Sequence, residues 1–301
     1  FMTPSAKFAD ILLPAVTNLE EDDFAQHGFV SEMGYVIFAQ KAIEPLFESR
    51  SVYDMCADIA KRFGVERQYT EGRTRREWMQ YLLDQSRIKL PELPEKLDDA
   101  FAMGIFKKRI TDLPGIPYKD FRDDPVKNPV KTPSGKLEIF SKRLWEIGRE
   151  WDLPQGDRIS GLPEYNATWE GVADPLRAKY PLQLIGHHYK QRTHSTYGNV
   201  DWLKKVAPQE LWINPVDAEA RGISHGDEGK VSNDRGVVFT TAKVTPRIMP
   251  GVLSLPEGAW FTPDSGGNDH GGCVNVLTSL RPSPLAKGNA QHTNLVEVKK
   301  A

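Results

Sequence analysis

The residues best suited to chemistry lie in a polar run at positions 186–195, GHHYKQRTHS, which combines three histidines with two cationic side chains. His188 and His194 are six residues apart, so an extended strand followed by a turn can bring both rings to one rim. Arg192 offers a forked pair of donors, and Ser195 offers a hydroxyl. This combination suits a polar heterocycle that carries phosphate.

Two other interpretations of this run stay open. A zinc site needs three neutral ligands, but His187 and His188 are adjacent and face opposite sides of a strand, and no carboxylate lies nearby in the sequence. We therefore assign neither a metal ligand nor a catalytic residue. A structural loop with hydrogen-bonded histidines is the second alternative. Six of the seven histidines, all but His27, follow Tyr180, which indicates that chemistry belongs to the later part of the chain.

A second polar cluster lies near the C-terminus, at residues 271–278 and 288–293. Its glycines permit a close approach of the backbone to a ligand, and its amide and hydroxyl side chains are both donors and acceptors. The candidates for ligand contacts here are Asn275, Thr278, Asn289 and Gln291. A pair of ordinary loops between strands is an equally good interpretation of this cluster.

Composition limits the classes of partner. The 301 residues carry a formal net charge of -2, so neither nucleic acid nor an anionic membrane surface is an expected partner. No apolar run approaches the ~20 residues that cross a bilayer, and residues 1–13 lack the pattern of a signal peptide. Cys56 and Cys273 stand far apart, which excludes an iron-sulfur or zinc motif and predicts buried thiols.

The elements that must position these residues divide the chain in two. Residues 1–180 are predicted to be helix-rich, with helices that begin after Ser51, Thr74 and Ser141, and with a capping box at Thr74 and Glu77. Residues 9–14 are predicted to be a strand that enters a loop. The prolines between 91 and 175 predict an irregular covering region that extends to Tyr180.

Residues 181–301 are predicted to form a second, β-rich domain. The turn NDRG at 233–236 predicts a hairpin because its residues tolerate positive φ, and residues 217–222 predict a short helix that ends at glycine. The expected fold is a closed mixed β-architecture, a barrel. Its predicted strands are 182–185, 229–232, 237–244, 252–255 and 295–298.

An ordered series of motifs covers nearly the whole chain and resembles the large catalytic subunits of the dimethyl sulfoxide reductase family of molybdenum enzymes. Within that family, the likeness is greatest to the anaerobic dimethyl sulfoxide reductases and selenate reductase-like members. The motifs are ADILLP at 9–14, LEED at 19–22, TPSGK at 132–136, WINP at 212–215, NDRG at 233–236 and MPGV at 249–252.

The resemblance implies an α/β fold that ends in a six-stranded double-psi β-barrel, which binds molybdopterin guanine dinucleotide in its bis form with molybdenum. It also implies that residues 1–45 end the domain that binds one guanosine, and that the helical region returns to the substrate-funnel domain. The implied cofactor contacts are His188, Arg192, His194, Ser195, Asn275 and Thr278, with Trp260, Asn289 and Gln291 as further ones.

The function implied by the resemblance is reduction of dimethyl sulfoxide, another S- or N-oxide, or selenate in anaerobic respiration. The family's 4Fe-4S cysteines, molybdenum ligand and twin-arginine leader precede the segments found here, so this chain alone is expected to be a C-terminal fragment without activity. Implied partners are an iron-sulfur electron-transfer subunit and a membrane anchor subunit, on the periplasmic side of the membrane. The alternative is a non-redox double-psi barrel that serves as an adaptor module, although an adaptor needs neither polar cluster.

Overall fold

The computed structural model describes residues 1–26, 35–108 and 116–301. Two compact units divide the chain: Ala9–Asn128 forms one, and Phe1–Phe8 with Pro129–Ala301 forms the other. Residues 129–180 thus belong to the same compact unit as the barrel. The boundary near Tyr180, which we predicted from the change of sequence character, coincides instead with the start of the first barrel strand at Leu182.

The unit Ala9–Asn128 combines a three-stranded antiparallel sheet with helices. The strands are β1 (Asp23–Gln26), β2 (Tyr35–Ala39) and β3 (Ile105–Lys107), with β2 in the middle. The helices are α1 (Val52–Arg62), α2 (Glu66–Thr70), α3 (Arg75–Arg87), α4 (Leu97–Met103) and α5 (Lys119–Asp123). One apolar cluster joins β2 and β3 to α3 and α4, with Phe38, Leu83 and Phe101 among its members.

Local sequence signals predicted where helices α3 and α1 begin. Thr74 and Glu77 form the predicted capping box: the Thr74 hydroxyl accepts from the Glu77 amide at 3.3 Å, and the Glu77 carboxylate accepts from the Thr74 amide at 2.7 Å. Helix α1 begins after Ser51 as predicted, but the Ser51 side chain makes no capping hydrogen bond. The chain leaves α1 through Gly64, whose φ is +71°.

Three further observations bear on the sequence analysis. Residues 9–14 are irregular rather than a strand, because their exposed apolar side chains have no partner strand beyond a single bridge of Ala15 with Arg50. Cys56 and Cys273 are free and only half-buried. Among the described residues, no helix is both long and apolar enough to cross a membrane.

The second unit contains α6 (Lys142–Glu150), α7 (Asp201–Val206), α8 (Pro215–Glu219) and a closed β-barrel. The Ser141 hydroxyl accepts from the Leu144 amide at 3.3 Å, which is the predicted cap of α6. The barrel strands are β4 (Leu182–Ile185), β5 (Glu210–Ile213), β6 (Glu228–Asn233), β7 (Gly236–Val244), β8 (Val252–Ser254) and β9 (Asn294–Lys300).

The strands close in the order β4-β8-β5-β7-β6-β9, and β9 returns to β4. Pairs β4–β8 and β5–β7 are parallel, whereas the other pairs are antiparallel. This confirms the predicted closed, mixed, six-stranded barrel. Its interior is filled by alternating apolar residues that are almost inaccessible to solvent, among them Leu184, Leu211, Val231, Val238, Leu253 and Val298.

Two details of the barrel correct the sequence analysis. Strand β5 was not predicted, since its residues were recognised only as part of a motif. The hairpin at 233–236 is present, but none of its four residues has a positive φ. Instead, the Asn233 Oδ1 atom accepts from the Arg235 amide at 3.0 Å, so a side-chain turn replaces the left-handed backbone that we expected.

Residues before the barrel pack onto it within the same unit. The Tyr180 hydroxyl donates to Asp234 Oδ1 at 2.7 Å, across the β6–β7 turn. Arg281 Nη2 lies 2.5 Å from Asp157 Oδ1, and its guanidinium lies 4.5 Å from the centre of the Trp169 ring. The later part of the region predicted to be an irregular cover therefore packs onto the barrel, whereas residues 91–128 belong to the other unit, and the region contains α4, β3, α5 and α6. Residues 109–115 of that region lie outside the described residues.

Candidate functional site

The parallel pairing of β4 with β8 determines which loops meet. Because both strands run in the same direction, the segments that follow them leave the barrel at the same end. The two segments continue side by side: the Leu255 amide donates to the Ile185 carbonyl, and the Glu257 amide donates to the His187 carbonyl, both at 3.0 Å. The polar run at 186–195 is thereby fixed against residues 255–260.

Three of the predicted residues converge on Glu257, which the sequence analysis did not identify. His188 Nε2 lies 2.9 Å and His194 Nδ1 lies 2.8 Å from the same oxygen, Glu257 Oε1. Gln291 Nε2 donates to the other oxygen, Oε2, at 2.9 Å. The Glu257 side chain is 9% exposed, whereas those of His188 and His194 are 58% and 72% exposed. We call these four residues the Glu257 cluster.

His187 lies on the other side of the strand from His188, as the alternation of side chains predicts. Its Nδ1 atom lies 2.7 Å from the Ser254 hydroxyl, and its ring contacts those of Tyr189 and Trp212. Burial lowers the pKa of His187, and the nearby Arg192 lowers it further. His187 thus packs against the barrel through one hydrogen bond and two ring contacts, apart from the Glu257 cluster.

One nitrogen of Arg192, Nη2, binds acceptors of the protein itself. Its Nη2 atom donates to Gln209 Oε1 at 2.7 Å and to the carbonyl oxygen of Glu257. Gln209 in turn donates to the carbonyls of Pro256 and Gly272, at 2.7 and 2.9 Å. Burial lowers the pKa of Arg192 below its ordinary value. Arg192 and Gln209 thus hold three loops together.

The side chain of Trp260 contacts the backbone of Ser195. Trp260 Nε1 donates to the Ser195 carbonyl at 2.8 Å. The contact requires two glycines, because a Cβ atom at Gly198 would lie 2.2 Å from Trp260 Nε1, and one at Gly258 would lie 1.8 Å from the His194 carbonyl oxygen. Both predicted residues therefore help to fix the loop that carries His194.

Asn275, Thr278 and Asn289 are not brought to the Glu257 cluster in the described part of the chain. The buried Thr278 hydroxyl donates to the Asn275 carbonyl at 3.1 Å and closes the short turn that contains it. The side chains of Asn275 and Asn289 are exposed. Of the second polar cluster, Gln291 donates to Glu257, and His292 Nδ1 accepts from the Gly186 amide at 3.2 Å, so both residues contact the first site.

A cavity of about 390 Å³ opens beside Arg192 and Trp260. One wall depends on Asp269, which is fully buried and accepts from the amides of Thr262, Gly271 and Cys273 at 2.7, 3.1 and 2.6 Å. The lining mixes aromatic and polar groups and includes Tyr189, Gln191, Arg192, Tyr197, Lys204, Gln209, Trp260, Thr262 and His270. Such a lining suits a planar polar ligand.

Comparison with known proteins adds an independent observation. The model of the molydopterin dinucleotide binding domain matches residues 182–295, and the model of molybdopterin oxidoreductase matches residues 1–62. Both segments of the chain are thus similar to molybdopterin oxidoreductases. The first of these matches extends from the start of β4 into β9, so it contains every member of the Glu257 cluster.

Relatives within the molybdopterin oxidoreductases are similar over nearly the whole chain. Dimethyl sulfoxide reductase DmsA is 55% identical in Haemophilus influenzae and 56% identical in Escherichia coli K12, in each case over 99% of this chain and 37% of the relative. The dimethyl sulfoxide/trimethylamine N-oxide reductase of Rhodobacter capsulatus is 37% identical over 99% of this chain and 37% of its own length. The chain thus spans a little over a third of these relatives.

A solved structure supports the fold alone. Acetylene hydratase from Pelobacter acetylenicus superposes with a TM-score of 0.72 at 22% identity, and the match covers 100% of this chain and 39% of that one.

Proposed function

We propose that this chain contributes to a molybdenum reductase that removes an oxygen atom from dimethyl sulfoxide or another S- or N-oxide. The proposal rests on relatives whose names specify dimethyl sulfoxide and trimethylamine N-oxide. Those names favour S- and N-oxides over selenate, which we included among the substrates implied by the resemblance. Because the chain spans about 37% of these relatives, the complete reaction belongs to a longer protein.

The barrel is proposed to help bind molybdopterin guanine dinucleotide, and the Glu257 cluster is the observation that carries this proposal. A pterin edge presents ring nitrogens, an amino group and a carbonyl, so it needs donors and acceptors side by side. The cluster offers both: exposed imidazoles at His188 and His194, a carboxylate at Glu257 and an amide at Gln291. The molybdenum of the cofactor would supply the redox chemistry, and these residues would orient the pterin.

The geometry changes the roles proposed for the remaining residues. Arg192 is proposed to position the Glu257 backbone, since its Nη2 atom already has protein acceptors. Ser195 and Trp260 are proposed to fix the neighbouring loop beside the cavity. Thr278 is proposed to shape the turn on which Asn275 is exposed. Asn289 lies in an exposed loop, from which it is proposed to contact the cofactor.

Properties of the longer protein are proposals by resemblance. They comprise a 4Fe-4S cluster in its N-terminal part, an iron-sulfur electron-transfer subunit, a membrane anchor subunit and a periplasmic location. The domain boundary that we propose near Tyr180 separates the dinucleotide-binding barrel from the remnant of the oxidoreductase core.

The test uses the full-length protein with His188→Ala and Arg192→Ala, and with His225→Ala as the control because His225 is exposed and lies outside the cluster. Loss of a polar contact of about 1 to 3 kcal/mol should weaken cofactor binding by roughly 5- to 150-fold. Molybdenum and released pterin are measured per protein, together with the reduction potential of the metal. Unchanged cofactor content and potential in both variants would reject the proposed binding role.

A further inference from the structure

Glu257 Oε1 is a buried carboxylate oxygen whose nearest polar neighbours do not satisfy it. His188 Nε2 and His194 Nδ1 are within 2.9 and 2.8 Å of this oxygen, yet neither contact has the direction of a hydrogen bond, and the oxygen has no hydrogen-bond partner. A buried carboxylate oxygen without a partner is unfavourable, because burial removes the water that would otherwise solvate it. The three atoms are therefore close together but do not bind one another.

The separation of the three atoms is that of ligands around one metal ion. Bonds of about 2.0 to 2.1 Å place neighbouring ligands about 2.9 Å apart in an octahedron and about 3.3 Å apart in a tetrahedron. The observed distances from Glu257 Oε1 to the two histidine nitrogens, 2.9 and 2.8 Å, match the octahedron. All three ligand atoms lie within 4.8 Å of one another, so a single ion can contact all of them.

The surroundings leave room for the remaining ligands. Three contacts fix the position of Glu257. Gln291 donates to its Oε2 atom, the Glu257 amide donates to the His187 carbonyl, and Arg192 donates to the Glu257 carbonyl. The side chains of His188 and His194, in contrast, are 58% and 72% exposed. An ion held on this face would keep its other positions open to water.

We propose that His188, His194 and Glu257 bind a six-coordinate divalent ion of the first transition series when no pterin occupies the site. Two imidazoles and one carboxylate on one face are a donor set that suits such ions with open positions. Sequence analysis assigned no metal ligand, because no carboxylate lies near the histidines in the chain. The β4–β8 pairing supplies that carboxylate from a segment more distant in sequence.

The proposal shares His188, His194 and Glu257 with the proposed cofactor site but is independent of it, because it concerns the chain without pterin. Its test uses the untagged 301-residue chain, freed of metal by a chelator and titrated with Co²⁺. Calorimetry gives the stoichiometry and affinity, and the visible spectrum gives the coordination number. We expect one Co²⁺ per chain with the weak absorption bands of six-coordinate cobalt.

Variants show whether the three residues are the ligands. Glu257→Gln, His188→Ala and His194→Ala should each weaken Co²⁺ binding by more than the roughly 10- to 100-fold typical of an outer-shell change. His225→Ala is the matched control and should bind as the unaltered chain does. Circular dichroism shows whether Glu257→Gln disturbs folding. The two histidine variants remain informative in that case, because exposed side chains can be removed without unfolding the barrel.

Absence of Co²⁺ binding, or binding that all three variants retain, would overturn the metal site. Intense bands typical of four-coordinate cobalt would overturn its six-coordinate geometry. Either failure leaves the proposed cofactor role intact, because that role is judged from molybdenum and pterin in the full-length protein. Conversely, loss of the cofactor role would leave the Co²⁺ result unchanged.

Discussion

Glu170 and Arg235 form a two-pronged ion pair, with Arg235 Nη1 2.6 Å from Oε1 and Nη2 2.8 Å from Oε2. The same carboxylate accepts from the Leu295 amide at 2.8 Å, next to the first residue of β9. The side chain of Glu170 is 10% exposed and that of Arg235 is 28% exposed. One residue outside the barrel thus ties the β6–β7 turn to the start of β9.

Removing one partner of this pair should destabilise the barrel unit strongly. Arg235→Ala leaves a buried carboxylate with only the Leu295 amide as a donor, so the free energy of unfolding should fall by about 3 kcal/mol. Lys179→Ala is the matched control, since Lys179 pairs with Asp234 of the same turn in an exposed position and should lose at most about 1 kcal/mol. Urea denaturation followed by tryptophan fluorescence compares the two, and equal losses would contradict this account.

Limited proteolysis should reveal the boundary between the compact units rather than the start of the barrel. Lys127 has an 82% exposed side chain and lies next to the boundary at residues 128 and 129. We expect trypsin to yield a resistant product that begins near Asn128, because residues 129–180 pack onto the barrel. Mass spectrometry identifies its first residue. A resistant product that begins instead near Pro181 would show that packing onto the barrel does not protect residues 129–180 from trypsin.

Gly258 should be far less replaceable than a glycine of the same backbone conformation. Its φ is +85°, and an added Cβ would lie 1.8 Å from the His194 carbonyl oxygen, whereas Gly251 has a φ of +81° with nothing within 4 Å of its Cβ position. Gly251→Ala should cost about 1 to 2 kcal/mol through backbone strain alone. Gly258→Ala should add about 1 to 3 kcal/mol for the clash and displace His194. Thermal denaturation tests this, and similar melting temperatures for the two variants would refute it.

His187 should make the stability of the barrel depend on pH. Because burial lowers the pKa of His187 in the folded state, the unfolded chain takes up its proton first as the pH falls below about 6.5. The free energy of unfolding should therefore decrease from that pH downwards, until the folded-state pKa is passed. His187→Gln should flatten this decrease, whereas His225→Gln should not. Urea midpoints between pH 5 and 8 give the comparison, and an unchanged slope in His187→Gln would rule out this contribution.

Most of the barrel could be predicted from the sequence because its strands are short β-branched and apolar runs bounded by turn residues. Strand β5 escaped prediction because its residues were recognised only as part of a motif. The caps at Thr74 and Ser141 were predictable because they are local. Residues 9–14 were wrongly assigned to a strand, because an apolar run carries no information about whether a partner strand exists.

The candidate site was only half predictable for the same reason. The spacing of His188 and His194 implied a common rim, which the two contacts with Glu257 confirm. Glu257 could not be found, because its approach depends on the parallel pairing of β4 with β8, and a single sequence does not specify strand pairing. Arg192 was assigned to a ligand on the basis of its donors, and the contacts of its Nη2 atom with Gln209 and Glu257 could not be predicted because they depend on the fold.

The order of strands in the closed barrel determines when each strand can pair during synthesis on the ribosome. Strand β4 is the first barrel strand to be synthesised, but its two neighbours are β8 and β9, and Leu182 pairs with Val296. Both edges of β4 lack their native partners until residues 252–254 are synthesised, and the edge that pairs with β9 stays open until residue 296 is synthesised. The nascent chain must therefore carry an open edge of an apolar strand for more than a hundred residues of synthesis, which favours chaperone binding to this segment and delays closure of the barrel.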